Sequence, residues 1–314
     1  MPSRHSLPSL LLGTALLAVT LWGAGCGPSS GTAPPGPPDT VALADSVLTP
    51  PDSATARRFA AVMESGADSA AESETIGALM QALGTQFQGA PYLEGMLDEP
   101  STETLVVRLD GFDCVTFIET TLAMARGLTV DDTTYAGFAQ RLAEQRYRDG
   151  TLQGYCSRLH YFTEWLADNE DRGLITRLDT LGSRSLTDTL DFMSTHRSDY
   201  DRFATNDRRF ACIQDMEGSL QAQQRRDPVQ YVPQDSIRAV YDELQAGDIV
   251  AMVTSIDGLD VSHSGLVYAH DDGGRGLLHA SVSDGIVVSP DLQRYVQTID
   301  NQIGIVVARP HPEP

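Results

Sequence analysis

The sequence predicts an α+β protein, and two features of its layout carry that expectation. Residues 76 to about 168 hold apolar side chains at helical spacing, whereas from Leu244 onward short β-rich runs alternate with turn sequences. Helices first and an antiparallel sheet second is the order of a segregated α+β domain. The apolar share, 41% of 314 residues, is ordinary for a globular chain and enough to bury a core. At roughly 100–200 residues per domain, the length allows one large or two ordinary domains.

Residues 1–26 read as an export signal. Arg4 and His5 precede an apolar run, Leu7 to Trp22, which is short for a bilayer span. The small residues Gly23-Ala24-Gly25 then lead to Cys26, which resembles the lipobox of bacterial lipoproteins with Gly23 where Leu is usual. That implies acylation at Cys26 and a lipid-anchored protein on the periplasmic face of the envelope. The alternative is plain secretion, with Cys26 inside a discarded signal. Residues 27–73 read as a disordered tether: Gly27 to Pro38 is Pro/Gly/Ser-rich, and the rest is polar and acidic with at most one peripheral helix. The folded domain is expected over 74–314, with a helical insertion at about 133–240.

Charge excludes one class of partner. The net charge is −21, from 43 acidic and 22 basic residues, and such a surface repels phosphate backbones. All the basic residues are Arg, and Asp (30) outnumbers Glu (13), the pattern of a surface kept hydrated at high salt.

Within the folded part, Ile76, Leu79, Met80, Leu83 and Phe87 mark a first helix, which Gly89-Ala90-Pro91 ends. Leu105 to Val107 is a short extended stretch. Asp113 is a natural N-cap for a helix running to Gly127, which puts Cys114 in the first turn. Further helices are expected over 133–147 and 158–168, and 183–226 is mixed and largely helical. The strands are Asp248 to Thr254, Ser264 to Tyr268, Leu277 to Ser281, Ile286 to Ser289 and Gly304 to Ala308.

Cys114 is the informative cysteine. A thiol at a helix N-terminus meets unpaired N–H groups and the positive end of the dipole, and both favour the nucleophilic thiolate. A buried cysteine packing as a small hydrophobe is the plainer alternative. Two histidines favour chemistry: His263 opens the run HSGLVY, and His279 lies in LLHAS on the next strand. A turn at Asp271–Gly274 would set them side by side, and Gly265 would let a helix approach the strand. A helix-borne Cys facing a strand-borne His, oriented by a second polar group, is the nucleophile–base–orienter set of a cysteine hydrolase. Cys156 and His160, four apart, offer a second pair or two metal ligands. The stronger reading there is structural, and a Cys156–Cys212 disulfide is possible in an exported chain.

The segments LDGFDCVTFIE, SRLHYFTEW, GDIVAMVT, VSHSGLVY and LLHAS resemble the N-acetylmuramoyl-L-alanine amidase-like branch of the NlpC-type cell-wall hydrolases. The resemblance spans roughly residues 75–310 and implies a papain-like fold. It makes Cys114 the nucleophile, His263 the general base, His279 its orienter and Tyr92 a group beside the nucleophile. Arg158, His160 and Tyr161 match a block particular to the branch and are expected to contact substrate. The implied reaction is hydrolysis of the muramoyl–L-alanine amide of peptidoglycan or muropeptides, with no metal or cofactor. The competitors are a D-glutamyl–diamino acid endopeptidase or an acyltransferase on the same scaffold, and a surface lipoprotein that only binds.

Overall fold

Residues 50–187 and 189–313 are described by a computed structural model; the export signal, Cys26 and the tether as far as residue 49 lie outside them. The helical layer is α1 (Ser53–Glu72), α2 (Ile76–Thr85), α3 (Cys114–Thr129), α4 (Tyr135–Arg146) and α5 (Phe162–Asp171). Next come β1 (Ile175–Arg177), β2 (Arg184–Ser185), α6 (Phe192–Thr195), α7 (Asp207–Arg226) and β3 (Gln230–Pro233). The C-terminal part holds β4 (Ile249–Thr254), β5 (Val261–Ala269), β6 (Arg275–Ser281), β7 (Gly285–Ser289), α8 (Leu292–Thr298) and β8 (Gln302–Pro310).

The strands pair antiparallel throughout, in the order β2-β3-β8-β4-β5-β6-β7, with β1 also on β8. The protein is therefore α+β, with helices leading and an antiparallel sheet following. Strand β4 explains why its sequence is one continuous apolar run: every residue in it is buried. Ile249, Ala251 and Val253 join the core beneath α2 and α3, which supply Met80, Leu83, Phe117 and Leu122. Val250 and Met252 point to the other face, onto Leu292 and Val296 of α8. Period-two alternation thus feeds two cores at once.

Two expectations about organisation change. The tether does not extend to residue 73, because α1 is capped by Asp52 and buries Phe59, Val62 and Met63 in the main core. Ala-rich, acidic composition hid a helix with one apolar stripe. The segment 133–240 is also not purely helical. It contributes β1, β2 and β3 to the sheet, each too short to show an alternating pattern.

Cys156 and Cys212 form a disulfide that ties the turn Tyr155–Ser157 to α7. Of the readings open for Cys156, this removes the metal-ligand one, since neither sulfur remains a thiolate donor. Among the described residues no cluster of three or more His, Cys, Asp or Glu side chains is arranged to hold a metal ion.

Candidate active site

Asp113 fixes where α3 begins. Its carboxylate accepts from the N–H groups of Val115 (3.0 Å) and Thr116 (2.7 Å), while the Thr116 hydroxyl accepts from the Asp113 N–H. This capping box places Cys114 at the first helical position and leaves the Cys114 N–H outside the capping pattern. Tyr92 arrives beside it because Phe112 N–H donates to the Pro91 carbonyl and Leu93 N–H to the Phe112 carbonyl. Gly111 makes that approach possible: a Cβ there would lie 2.8 Å from the Pro91 carbonyl oxygen and closer still to the Leu93 side chain. The other side of the loop is held by β7, where Gly89 N–H donates to Ile286 and Ile286 N–H donates to Ala90.

The histidines come from the β5–β6 hairpin, whose register pairs Leu266 with Leu278 and Ala269 with Arg275. His263 Nε2 is 2.8 Å from His279 Nδ1, with the rings at 86°. A bulge precedes His263: Met252 pairs with His263 but Val253 pairs with Val261, so Ser262 is an extra residue. Bulges beside a site re-aim the side chains that follow them. Gly265 serves a different purpose from the one expected. An added Cβ would meet His279 Cβ at 2.9 Å and Leu277 Cδ1 at 2.8 Å, so the missing side chain admits the neighbouring strand and not a helix.

Three residues that the sequence reading missed complete the surroundings. Tyr295 of α8 stands 4.6 Å from the His279 ring and 5.9 Å from the His263 ring, and feels the charge of a Cys114 thiolate. Ser289 of β7 lies 3.1 Å, Oγ to Nε2, from the outer nitrogen of His279. Ser264, fully buried, acts on the thiol through its hydroxyl and main-chain N–H, and the hydroxyl has no hydrogen-bond partner among the described residues. Asp291, which caps α8, and the spacing of Leu292 and Val296 were the available signal for Tyr295. Ser289 and Ser264 had none.

Electrostatics here run against the expected resting thiolate. Burial, and then the charge of Asp113, push the Cys114 thiol up to about 11, outweighing Ser264 and the Cys114 N–H. Burial pushes His263 down to about 3, helped by His279, and His279 itself down to about 4. The helix dipole is real but smaller than the cost of an enclosed charge. Burial thus favours the neutral thiol of Cys114 and the neutral imidazole of His263. Tyr92, raised first by burial and then by Cys114 and Asp113, stays a phenol and a donor.

Arg158, His160 and Tyr161 are placed inside the framework. The Arg158 guanidinium bonds the Leu97 carbonyl at 2.8 Å, pairs with Asp98 and lies 3.6 Å from Glu103, with only 5% of the residue exposed. His160 Nε2 meets the Tyr155 carbonyl at 3.0 Å, and burial holds the ring neutral. The Tyr161 hydroxyl donates to Glu217 (2.9 Å) and accepts from the Met193 N–H (3.1 Å). Arg158 and Tyr161 thereby tie the 97–103 loop and α7 to the SRLHY block, and each residue of the expected substrate block holds a protein partner in this structure.

The α+β domain thus sets a thiol at a helix N-terminus, and Tyr295, which feels that thiol's charge, packs on a hydrogen-bonded pair of strand histidines. The family model for N-acetylmuramoyl-L-alanine amidase-like (AmiA-like) proteins matches residues 82–305, and the chain belongs to that family. A crystal structure of an N-acetylmuramoyl-L-alanine amidase from Bacteroides uniformis ATCC 8492 is 30% identical, covers 75% of this chain and 99% of its own, and superposes with a TM-score of 0.68. A Bacteroides fragilis protein solved under a xylanase name is 33% identical over 72% of this chain and 98% of its own, TM-score 0.65. A Legionella pneumophila protein shares the fold alone, at 20% identity and TM-score 0.56 over 83% of this chain and 94% of its own. No curated protein sequence matches the chain.

Proposed function

We propose that this protein is a cysteine-dependent N-acetylmuramoyl-L-alanine amidase on a papain-like, NlpC-type scaffold. The observation that carries the reading is the Cys114 thiol at the start of α3 together with the His263–His279 pair, the two joined by Tyr295, which packs on both rings and feels the thiol's charge. Because burial favours the neutral thiol and imidazole, Cys114 Sγ attacks the lactyl carbonyl carbon as its proton passes to His263. The Cys114 N–H and the Tyr92 hydroxyl are the donors for the tetrahedral oxyanion. The C–N bond then breaks, and the proton on His263 leaves with the L-alanine nitrogen. Water attacks the resulting thioester and gives a proton to His263, the thiolate departs, and proton return restores the thiol. The products are a muramoyl lactyl carboxylate and a peptide with a free N-terminal L-alanine.

The xylanase name of the Bacteroides fragilis neighbour does not suit this site. Glycoside hydrolysis generally uses two carboxyl groups about 5–9.5 Å apart. The groups around Cys114 are imidazoles, phenols and hydroxyls, and the Asp113 carboxylate is engaged as a helix cap.

The proposal extends to location. Residues 1–26 are the cleaved signal, Cys26 carries the lipid, and the chain beyond it tethers the domain to the periplasmic side of the envelope. The Cys156–Cys212 disulfide supports export to an oxidising compartment. An intact mass of membrane-extracted protein showing an unmodified N-terminus would refute the anchor. For the reaction, defined muropeptides are incubated with the purified protein and the products weighed. Peptide beginning at L-alanine, with peptide-free muramic acid, is the expected result. A new amine on the diamino acid, with L-alanine still on the sugar, would make the protein an endopeptidase instead.

A further inference from the structure

We infer that Ser289 is a positioning residue, which keeps His279, and through it His263, in the tautomer able to take a proton from Cys114. The inference rests on the catalytic reading of Cys114 and His263 given above.

The geometry is a chain of two contacts. His263 Nε2 lies 2.8 Å from His279 Nδ1, and His279 Nε2 lies 3.1 Å from Ser289 Oγ. For His263 to act as base, its Nδ1 must hold a lone pair, because Nε2 is already engaged with His279. A neutral His263 then carries its proton on Nε2 and donates to His279 Nδ1. His279 in turn must carry its proton on Nε2, where Ser289 Oγ is the acceptor. Every member of that direction is satisfied. The reverse direction puts a proton on His279 Nδ1, makes His263 Nε2 an acceptor and leaves His263 with a proton on Nδ1, where it cannot take the thiol's.

A hydroxyl can accept from His279 Nε2–H or donate to its lone pair, so Ser289 serves both directions and removes the penalty that would otherwise fall on this one, by giving His279 Nε2–H an acceptor. His279 is only 2% exposed, so without the hydroxyl that N–H would be left unpaired. A buried donor without an acceptor is among the rarest of native features, whereas a spare lone pair is better tolerated. Loss of the hydroxyl therefore tips His279 toward the Nδ1–H form. The other groups facing the pair do not substitute for it. The Tyr295 ring packs edge-on to His279, and Asp284 acts on it from the β6–β7 turn. Ser289 is itself held in register by β6, where it pairs with Leu277.

The catalytic step needs no further proton movement along the chain. When the thiol proton reaches His263 Nδ1, the imidazolium keeps its Nε2–H on His279, and His279 keeps its own on Ser289. The serine holds an orientation; it does not become charged.

The test compares wild type, Ser289→Ala and Ser289→Thr as full chains. Side-chain 15N spectra of the histidines read the tautomers directly and require no activity. The expected result is Nε2–H for both His263 and His279 in wild type and Ser289→Thr, with His279 moving to Nδ1–H in Ser289→Ala. On muropeptides, Ser289→Ala should lose about 10- to 100-fold in kcat, the usual effect of removing an outer hydrogen-bond partner, with KM within about twofold. Ser289→Thr should return to within about threefold of wild type. Unchanged tautomers in a folded Ser289→Ala, or a wild type with Nδ1–H on His279, would overturn the inference. A wild type with the expected tautomers and no muropeptide turnover would instead sink the catalytic reading and leave the hydrogen-bond role standing.

Discussion

The Nε2 of His263 and the Nδ1 of His279 face each other at 2.8 Å across the β5–β6 hairpin, with Gly265 leaving room for the closer strand. The pair defines a first prediction. Cys114→Ser should fold as wild type and show no measurable turnover on muropeptides. His279→Ala should retain binding and lose at least about 100-fold in kcat, because the base is no longer oriented. Thermal melts check folding, and product mass spectrometry checks turnover. Wild-type turnover in folded Cys114→Ser would remove the cysteine mechanism.

The second prediction separates a neutral pair from a thiolate–imidazolium pair. Burial raises the Cys114 thiol to about 11 and lowers His263 to about 3, so the thiolate is scarce at neutral pH. Alkylation of Cys114, the free cysteine among the described residues, should therefore accelerate about tenfold per pH unit from 7 to 10, as reaction through the thiolate requires. A rate already flat across pH 6–8 would mean that a stable ion pair exists, and that the dipole wins over burial after all.

How much of this was legible in the sequence varies by element. The α3 start, with Asp113 as cap and Cys114 in the first turn, could be read because capping is local chemistry. The five C-terminal strands could be read because each is long enough to show its pattern and is bounded by turns. Strands β1, β2 and β3, of four residues or fewer, could not, since their pairing is decided by β8 and by each other. The thiol's ionisation is not legible in the sequence for a related reason. The dipole is set by one helix, but desolvation is set by everything packed around it, and that is absent from a sequence. Arg158 shows the same limit: a cation in a distinctive block suggested substrate, and only the fold reveals that Asp98 and Glu103 already take it.

Acid should destabilise the fold through the two site histidines. Their folded values, about 3 for His263 and about 4 for His279, lie below the unfolded value of about 6.5. Below pH 6.5 the unfolded chain binds more protons, so stability falls as pH falls and levels off only when the folded rings protonate. Each histidine contributes up to about 1.4 kcal/mol per pH unit across that window. Buried Glu119 and Asp260, raised by burial, work in the opposite sense, so the clean measurement is a difference between variants. The urea midpoint of His263→Phe should drop less between pH 7 and 4.5 than that of wild type. Parallel curves would show that His263 is not held neutral by burial.

Arg158 should prove a framework residue. Arg158→Ala removes the partner of Asp98 and one of the two arginines on Glu103, the other being Arg202 at 3.1 Å. Glu103 keeps Arg202 and the Tyr147 hydroxyl, so the loss should be a part of the roughly 3–5 kcal/mol that a fully broken buried pair costs. The variant should melt well below wild type, while KM for muropeptides at a temperature where it stays folded changes by less than about threefold. A raised KM with unchanged stability would restore Arg158 as a substrate contact.

The disulfide gives the last prediction, and it distinguishes stability from catalysis. Cys156 and Cys212 are 56 residues apart, so the bond closes a long loop in the unfolded chain. Chain-entropy arithmetic for a loop of that size gives about 4 kcal/mol of stabilisation. The segment it fastens has its own apolar cluster, in which Tyr155, Tyr161 and Phe203 pack against Ile213, Met216 and Leu220 of α7. That cluster remains when the bond is lost, so Cys156→Ser/Cys212→Ser should fold and then unfold at a lower temperature or urea concentration. None of α3, β5, β6, β7 or α8, which supply Cys114, His263, His279, Ser289 and Tyr295, contains a disulfide cysteine. Turnover measured well below the variant's melting temperature should therefore stay within about twofold of wild type, as for a substitution distant from the chemistry. A large loss of kcat in the folded double variant would mean that α7, through Glu217 and Tyr161, holds the active site in place, and that the insertion belongs to the catalytic machinery.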